Sequence, residues 1–162
     1  MGLDVTAYSK VTLVRESEKW CDEDDDGARW FGPRRGFDRW SPMKPGLYHA
    51  DDGLHEFSAP YSAYNRWRND LAIRVLGKSA EQVWNDPQPG PFVELINFSD
   101  CEGDMCSGVC ARLDADFKRW EVLGDVGAQA HMGKPEETFG KWFRGFAKMF
   151  AHAANGGAVR FG

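Results

Sequence analysis

Apolar residues near the N-terminus fall on alternate positions: Leu3, Val5, Ala7, Val11 and Leu13. That is the period of a strand with one buried face, so residues 3–13 read as a strand. Periodicity then lapses over residues 16–45, where charge, Gly and Pro crowd around Trp20, Trp30, Phe31, Phe37 and Trp40. This composition predicts a long loop held down by aromatic anchors. Residues 47–57 carry Asp52-Gly53 between two short β-prone runs, and a Gly there supplies the positive φ of a tight hairpin. After Pro60, the residues Tyr61, Tyr64, Trp67 or Arg68, Leu71, Ala72 and Val75 recur at helical spacing, with Gly77 as the stop.

Ser79-x-x-Gln82 has capping-box form and opens one more helical turn before Pro87, Pro89 and Pro91 forbid continuation. Phe92 to Phe98 is an apolar run broken by Glu94, short for a helix and suited to a central strand covered on both faces. Ser107 is placed to cap a helix through Trp120 with Val109, Cys110, Leu113, Phe117 and Trp120 on its inner stripe. Pro135 suits the start of a second helix, with Glu136 and Glu137 near the positive end of its dipole. Its stripe is Phe139, Trp142, Phe143, Phe146, Phe150 and Ala153, and Ala158 to Phe161 returns as a short strand. No repeat, low-complexity tract or break in composition divides the chain. The pattern predicts one α+β domain over residues 1–162: a single layer of small, mainly antiparallel sheet packed against about three helices.

Composition supports a packed core. Hydrophobic residues make up 42% of the 162, aromatics 14%, with seven Trp and eleven Phe. A chain of this length hides roughly 70% of the surface it exposes when unfolded. The net charge of −5 argues against broad nucleic-acid binding, which needs a Lys/Arg surface, while leaving room for a local basic pocket. No signal-peptide pattern opens the sequence and no run approaches 18 apolar residues, so neither secretion nor a membrane span is expected. Met1-Gly2 with Thr6 matches the myristoylation pattern at three positions, but a strand over the same residues is the better reading.

Four stretches together resemble a family of uncharacterised small proteins encoded by bacteriophages and prophages: MGLDVTAYSK at the start, YSAYNRWRNDLA at 61–72, GPFVELINFSDCEG at 90–103 and GGAVRF at 156–161. They run from end to end, so the resemblance implies kinship of the whole chain. It brings a host-cell, cytoplasmic setting and no assigned activity, cofactor or catalytic residue. The chain departs from the family pattern after Gly103, where DMCSGVC adds Cys106 and Cys110. A function shared with the family does not depend on those two thiols.

Two clusters are candidate binding sites. The first, Asn97, Ser99, Asp100, Glu102 and Asp104, follows the apolar run and precedes a helix, a place where polar groups commonly line a pocket. Its competing reading is local turn chemistry, with Ser99 and Asp100 satisfying backbone donors and Gly103 taking a strained φ. The second, Tyr61, Tyr64, Asn65, Arg66 and Arg68, puts aromatic faces and guanidinium groups on one helix, fit to clamp a planar base or an anion. Its competing reading is a helix that buries Tyr64 and Trp67 while the arginines stay solvated or pair with Asp70 and the carboxylates of the first cluster. If the clusters meet, Arg66 or Arg68 faces Asp100 or Glu102 as either a brace or a pocket.

Metal and catalytic signatures are weak. Cys101, Cys106 and Cys110 match no zinc-ribbon or redox spacing, and with Cys21 they read as free thiols of a reducing compartment; the alternative is a metal site completed by His131 or His152. Asp22, Asp24, Asp26 and Gly27 copy the first half of a calcium loop, but Pro33 stands where its twelfth-position acid belongs. Asp22–Asp26 reads as a solvated loop tip or an acidic patch for a basic partner. No GxSxG, phosphate-binding loop, HExxH or GxGxxG occurs, and His49 and His55 face each other only as ordinary surface residues of the hairpin. No cofactor or metal is expected. The leading functional expectation is a non-catalytic accessory protein that binds a host component, such as a host-defence system, and interferes with it. The alternatives are a protein that binds or sequesters a signalling nucleotide, and a hydrolase using Asp100 and Glu102. The periodicity leaves the oligomeric state open.

Overall fold

The computed structural model describes residues 2–18, 27–51, 53–127 and 138–162. Strands β1 (Gly2–Tyr8) and β2 (Val11–Glu16) come first, and a short β3 (Arg29–Phe31) interrupts the loop after them. Next, β4 (Gly46–Ala50) and β5 (Gly53–Pro60) lead into helix α1 (Tyr61–Leu76). Helices α2 (Ala80–Asn85) and α3 (Val93–Asn97), strand β6 (Gly103–Cys106), helix α4 (Ser107–Arg119), a 3-10 turn (Glu121–Asp125), helix α5 (Phe139–Ala153) and strand β7 (Ala158–Phe161) follow. The fold is α+β, and every strand pair is antiparallel.

The expected single sheet is two sheets, ordered β5-β1-β7-β6 and β2-β4-β3. They share one long ribbon in which β1 and β2 run against β5 and β4, from Gly2 opposite Pro60 to Glu16 opposite Gly46. The ribbon breaks at Ser9–Lys10. There the Asp51 carboxylate accepts the amides of Ser9 (3.0 Å) and Lys10 (3.3 Å) and the Ser9 hydroxyl, replacing the missing ladder bonds. Register slips between Val5 and Thr6 and between Leu13 and Arg15 add twist on either side.

This corrects two expectations. The 3–13 strand is divided, and 47–57 is no hairpin, because β4 and β5 lie end to end and each pairs with the N-terminal strands instead. Gly53 serves close approach: a Cβ there would lie 2.5 Å from the Thr6 methyl. Asp52 lies outside the described residues. His49 stands opposite Thr12 and His55 opposite Thr6, in different sheets, so the two histidines do not face each other.

One face of the four-stranded sheet carries Leu3, Val5 and Ala7, all fully buried, against α1 and α5. The α5 stripe is as expected: Phe139, Trp142, Phe143, Phe146, Phe150 and Ala153 are buried, with Met149 added. Thr138 caps α5 through the Lys141 amide, while Pro135, Glu136 and Glu137 lie outside the described residues. Trp67 stacks on Phe146 at 4.8 Å between centroids, and Phe57 meets Trp142 at 4.7 Å and Phe146 at 4.6 Å. Such pairs contribute about 0.5–1.5 kcal/mol each beyond area burial. The predicted bounds of α1 hold, with Gly77 in the left-handed region (φ +67°), and the Ser79–Gln82 capping box forms both its bonds. In α4, Ser107 is the first helical residue and Cys106 occupies the cap, with no side-chain bond there.

The 92–98 run is helix α3, not a central strand. It lies among helices, with Val93, Leu95, Ile96 and Asn97 all buried, so no sheet partner reaches it. Side chains satisfy the backbone at its ends. The Phe92 amide, at φ +58°, donates to Asp116 (2.8 Å), and the Ile96 and Phe98 carbonyls accept Trp84 Nε1 and Arg68 Nη1, both at 2.6 Å. The central strands are instead β1 and β7.

The close contact of β7 with β1 needs a bare backbone at Gly157, where a Cβ would lie 1.9 Å from the Tyr8 carbonyl oxygen. Gly157→Ala is expected to lower unfolding stability by about 3 kcal/mol, read as a lower urea midpoint at unchanged slope. In contrast, Gly108→Ala, at an open position in the first turn of α4, should be neutral or raise stability by up to about 1 kcal/mol.

Candidate functional site

The segment 97–104 runs from the end of α3 into β6 and is built in two halves. In the first, the Ser99 hydroxyl accepts the amides of Cys101 (3.3 Å) and Glu102 (3.1 Å), closing a tight turn. Gly103 follows at φ +115°, and a Cβ there would lie 2.8 Å from the Arg34 backbone nitrogen. Both features match the turn chemistry expected of Ser99 and Gly103.

In the second half, Asp104 stands opposite Arg160 across the β6–β7 ladder. The two form a bidentate pair, Nε to Oδ1 at 2.8 Å and Nη2 to Oδ2 at 3.2 Å. The Gly32 amide donates to the same carboxylate (2.9 Å), and Arg160 also reaches the Trp30 carbonyl and lies 4.1 Å above the Phe31 ring centroid. Burial raises the Asp104 carboxyl above its ordinary value, against the opposing pull of Arg160 and the Gly32 amide. Asp104 is a brace.

Arg68 does meet the first half, through an intermediary. The residue is 4% exposed, and its guanidinium lies between the Tyr64 ring (5.1 Å) and the Trp84 ring (4.9 Å). It donates to the Phe98 carbonyl and to Asn65 Oδ1, and Asn65 Nδ2 donates in turn to Asp100 Oδ2 at 2.8 Å. Arg68 Nε and the Tyr64 hydroxyl have no hydrogen-bond partner among the described residues. Beside this relay is a slot of about 360 Å³ lined by Arg68, Asn97, Phe98, Ser99 and Asp100 on one side and by Phe37, Trp40 and Trp84. Asn97 Nδ2 is bonded to the Val93 carbonyl (2.8 Å).

A second cavity of about 500 Å³ lies beyond the turn. Arg34, Arg35 and Arg160 line it with Glu102, Asp104 and Trp30. Arg34 is fixed on the turn itself: Nη1 meets Ser99 Oγ at 3.4 Å and Cys101 Sγ at 2.6 Å, and Nε pairs with Glu102 at 3.1 Å.

The ten sequence candidates therefore separate. Arg68, Asn97, Ser99 and Asp100 line the slot, and Asn65 links Arg68 to Asp100. Glu102 and Asp104 face the second cavity. Tyr64 is fully buried in the aromatic core and offers no face to a ligand, Tyr61 is partly buried against the same core, and Arg66 is exposed. The slot's aromatic walls, Phe37, Trp40 and Trp84, are not among the candidates drawn from the sequence, nor are Arg34, Arg35 and Arg160. Trp84, 44% exposed on a capped six-residue helix, is the one that an aromatic-rich reading had grounds to single out.

Cys101 and Cys106 are partly exposed free thiols, and Cys110 is buried, which pushes its thiol up and makes it inert. Among the described residues no group of three or more His, Cys, Asp or Glu side chains is placed to hold a metal ion. The acidic run 22–26, Cys21 and His131 lie outside the described residues. No described helix is long and apolar enough to cross a membrane. No protein-family model, curated protein or solved structure matches the chain.

Two predictions separate the brace from the slot. Asp104→Asn leaves Arg160 without its counter-charge and should cost about 3 kcal/mol or more in urea unfolding, whereas Glu102→Gln, in an exposed pair, should cost less than about 1 kcal/mol. Burial pushes the Tyr64 phenol up to about 12 from an ordinary 10.0, against the Arg68 charge. A group raised on folding gives its full stability below its unfolded value and loses it as pH climbs through the folded one. The ultraviolet phenolate step missing from Tyr64→Phe should therefore fall near pH 12 in the folded protein and near 10 in denaturant. A step near 10 in the folded protein would place the hydroxyl in water.

Proposed function

We propose that the chain is a non-catalytic binding protein whose ligand is a small planar molecule of nucleotide type, held in the slot beside Trp40, Trp84 and Arg68. The observation that carries this reading is the state of Arg68. A buried guanidinium is costly unless its charge is met, yet this one is bonded only to neutral oxygens and reaches a carboxylate only through Asn65. An anionic edge of a ligand in the slot, against its Arg68 wall, supplies the missing counter-charge. Asp100 uses one oxygen for Asn65 and offers the other to a ligand N–H, while Trp40, Trp84 and Phe37 provide faces for stacking. A donor and an acceptor beside aromatic faces suit a nucleobase edge.

The resemblance to bacteriophage and prophage proteins supports a setting in the host cytoplasm, where sequestering a signalling nucleotide interferes with a host response such as defence. A two-carboxylate hydrolase draws no support from the geometry, because Asp100 lines the slot while Glu102 lines the cavity beyond the turn.

A panel of nucleosides and nucleotides tests the reading by thermal shift and tryptophan fluorescence. A ligand at about 100 times its Kd should stabilise the protein by about 2.7 kcal/mol. Trp84→Ala should weaken binding by about 1–3 kcal/mol, Trp84→Phe by less, and Asp100→Asn should weaken ligands that bear an N–H edge. A panel with no shift and no quenching refutes the proposal.

A further inference from the structure

We infer that the ligand of the slot is phosphorylated and that Arg34 and Arg35 hold its phosphate in the adjoining 500 Å³ cavity. This rests on the slot being a ligand site. The two cavities are separated by one tight turn, Ser99 to Gly103, whose thickness is set by the Ser99 hydroxyl bonding the Glu102 amide at 3.1 Å. Ser99 and Asp100 line the slot; Glu102 and Gly103 line the second cavity. Arg34 spans the divide. Its guanidinium touches Ser99 and Cys101, pairs with Glu102, and stands 5.9 Å from the centroid of Phe37, a slot wall.

The charges of the second cavity are unequally committed. Asp104 is buried and bound bidentately to Arg160 and to the Gly32 amide, so its charge is already met. The Arg34–Glu102 pair is different: the side chains are 38% and 63% exposed, and pairs so open to water are weak. A phosphate, with more charge and a geometry matched to guanidinium, outcompetes Glu102 for Arg34. Arg35 is exposed at the same mouth, next to Gly36 in a left-handed turn (φ +89°). A molecule with its base in the slot and its phosphate beyond the turn straddles residues 99–103, which explains why the distinctive segment has a polar group on each side.

The test compares a nucleoside with its 5′-phosphates by calorimetry on the full chain. The phosphorylated form should bind about tenfold or more tightly, with an advantage that shrinks as salt rises. Arg35→Ala should remove most of that advantage and leave nucleoside binding unchanged, and Glu102→Gln should tighten phosphate-bearing ligands only. Equal affinity for nucleoside and nucleotide, or an Arg35→Ala effect on both alike, overturns this inference while leaving the slot reading intact. Absence of binding by either overturns both. Arg35 is exposed, so its variant tests the inference without the folding risk of substituting Arg34.

Discussion

The ion pair between Asp104 and Arg160 is the contact on which the rest of the molecule is arranged. It joins β6 to β7 across the ladder, and its spare donors and acceptors capture the backbone of Trp30 and Gly32, next to β3. The helix-covered sheet and the smaller sheet are thus tied through one buried pair as well as through their shared ribbon. Ser41 extends the tie, with its hydroxyl donating to the Asp104 carbonyl (2.7 Å) and accepting the Cys106 amide (3.1 Å). The outer edge of β6, which would otherwise present unpaired amides, is covered by the loop after β3. Replacing both charges by apolar groups is often neutral in stability, so such a pair is best understood as fixing which segments meet.

A second cation, more deeply buried than Arg160, sits at the opposite side of the 99–103 turn under different conditions. Arg160 faces a carboxylate directly; Arg68 reaches one only through Asn65. The contrast is one of charge balance. A cation with its counter-ion in contact is saturated and structural, whereas one held by aromatic faces and neutral oxygens retains electrostatic attraction for something else. The Tyr64 and Trp84 rings flank the guanidinium and offer it their π faces.

Features carried by local spacing were legible in the sequence. The α1 stripe and its Gly77 stop, the Ser79–Gln82 box, the α5 face and the Ser99–Gly103 turn all depend on residues within a few positions of one another. The errors have a shared physical origin in long-range pairing. Alternation continues from Ala7 to Val11 across the ribbon break, since the break is enforced by Asp51, about forty positions away. The 92–98 run is too short, and Glu94 too isolated a polar position, to reveal a period, so its length alone points to a strand. For the site, Arg68 and Asp100 could be named as partners, but the slot's aromatic walls come from positions 37–40 and 84, which meet only in the folded chain. Tyr64 misled because an aromatic beside arginines looks like a clamp until its burial is known.

The excursion between β2 and β4 leaves and re-enters at a fixed stem. Glu16 stands opposite Gly46, the Ser17 amide meets the Pro45 carbonyl, and Lys44 pairs with Glu16. Between Gly32 and Ser41, which are held to β6, residues 33–40 can be exchanged at little cost to the ribbon, since closure entropy changes slowly with length. That excursion contributes Phe37 and Trp40 to one cavity and Arg34 and Arg35 to the other, whereas Arg68 and Arg160 come from the framework. The lining of both cavities can therefore diverge through replacement of this one segment, with Gly32 and Ser41 held constant as its fasteners to β6.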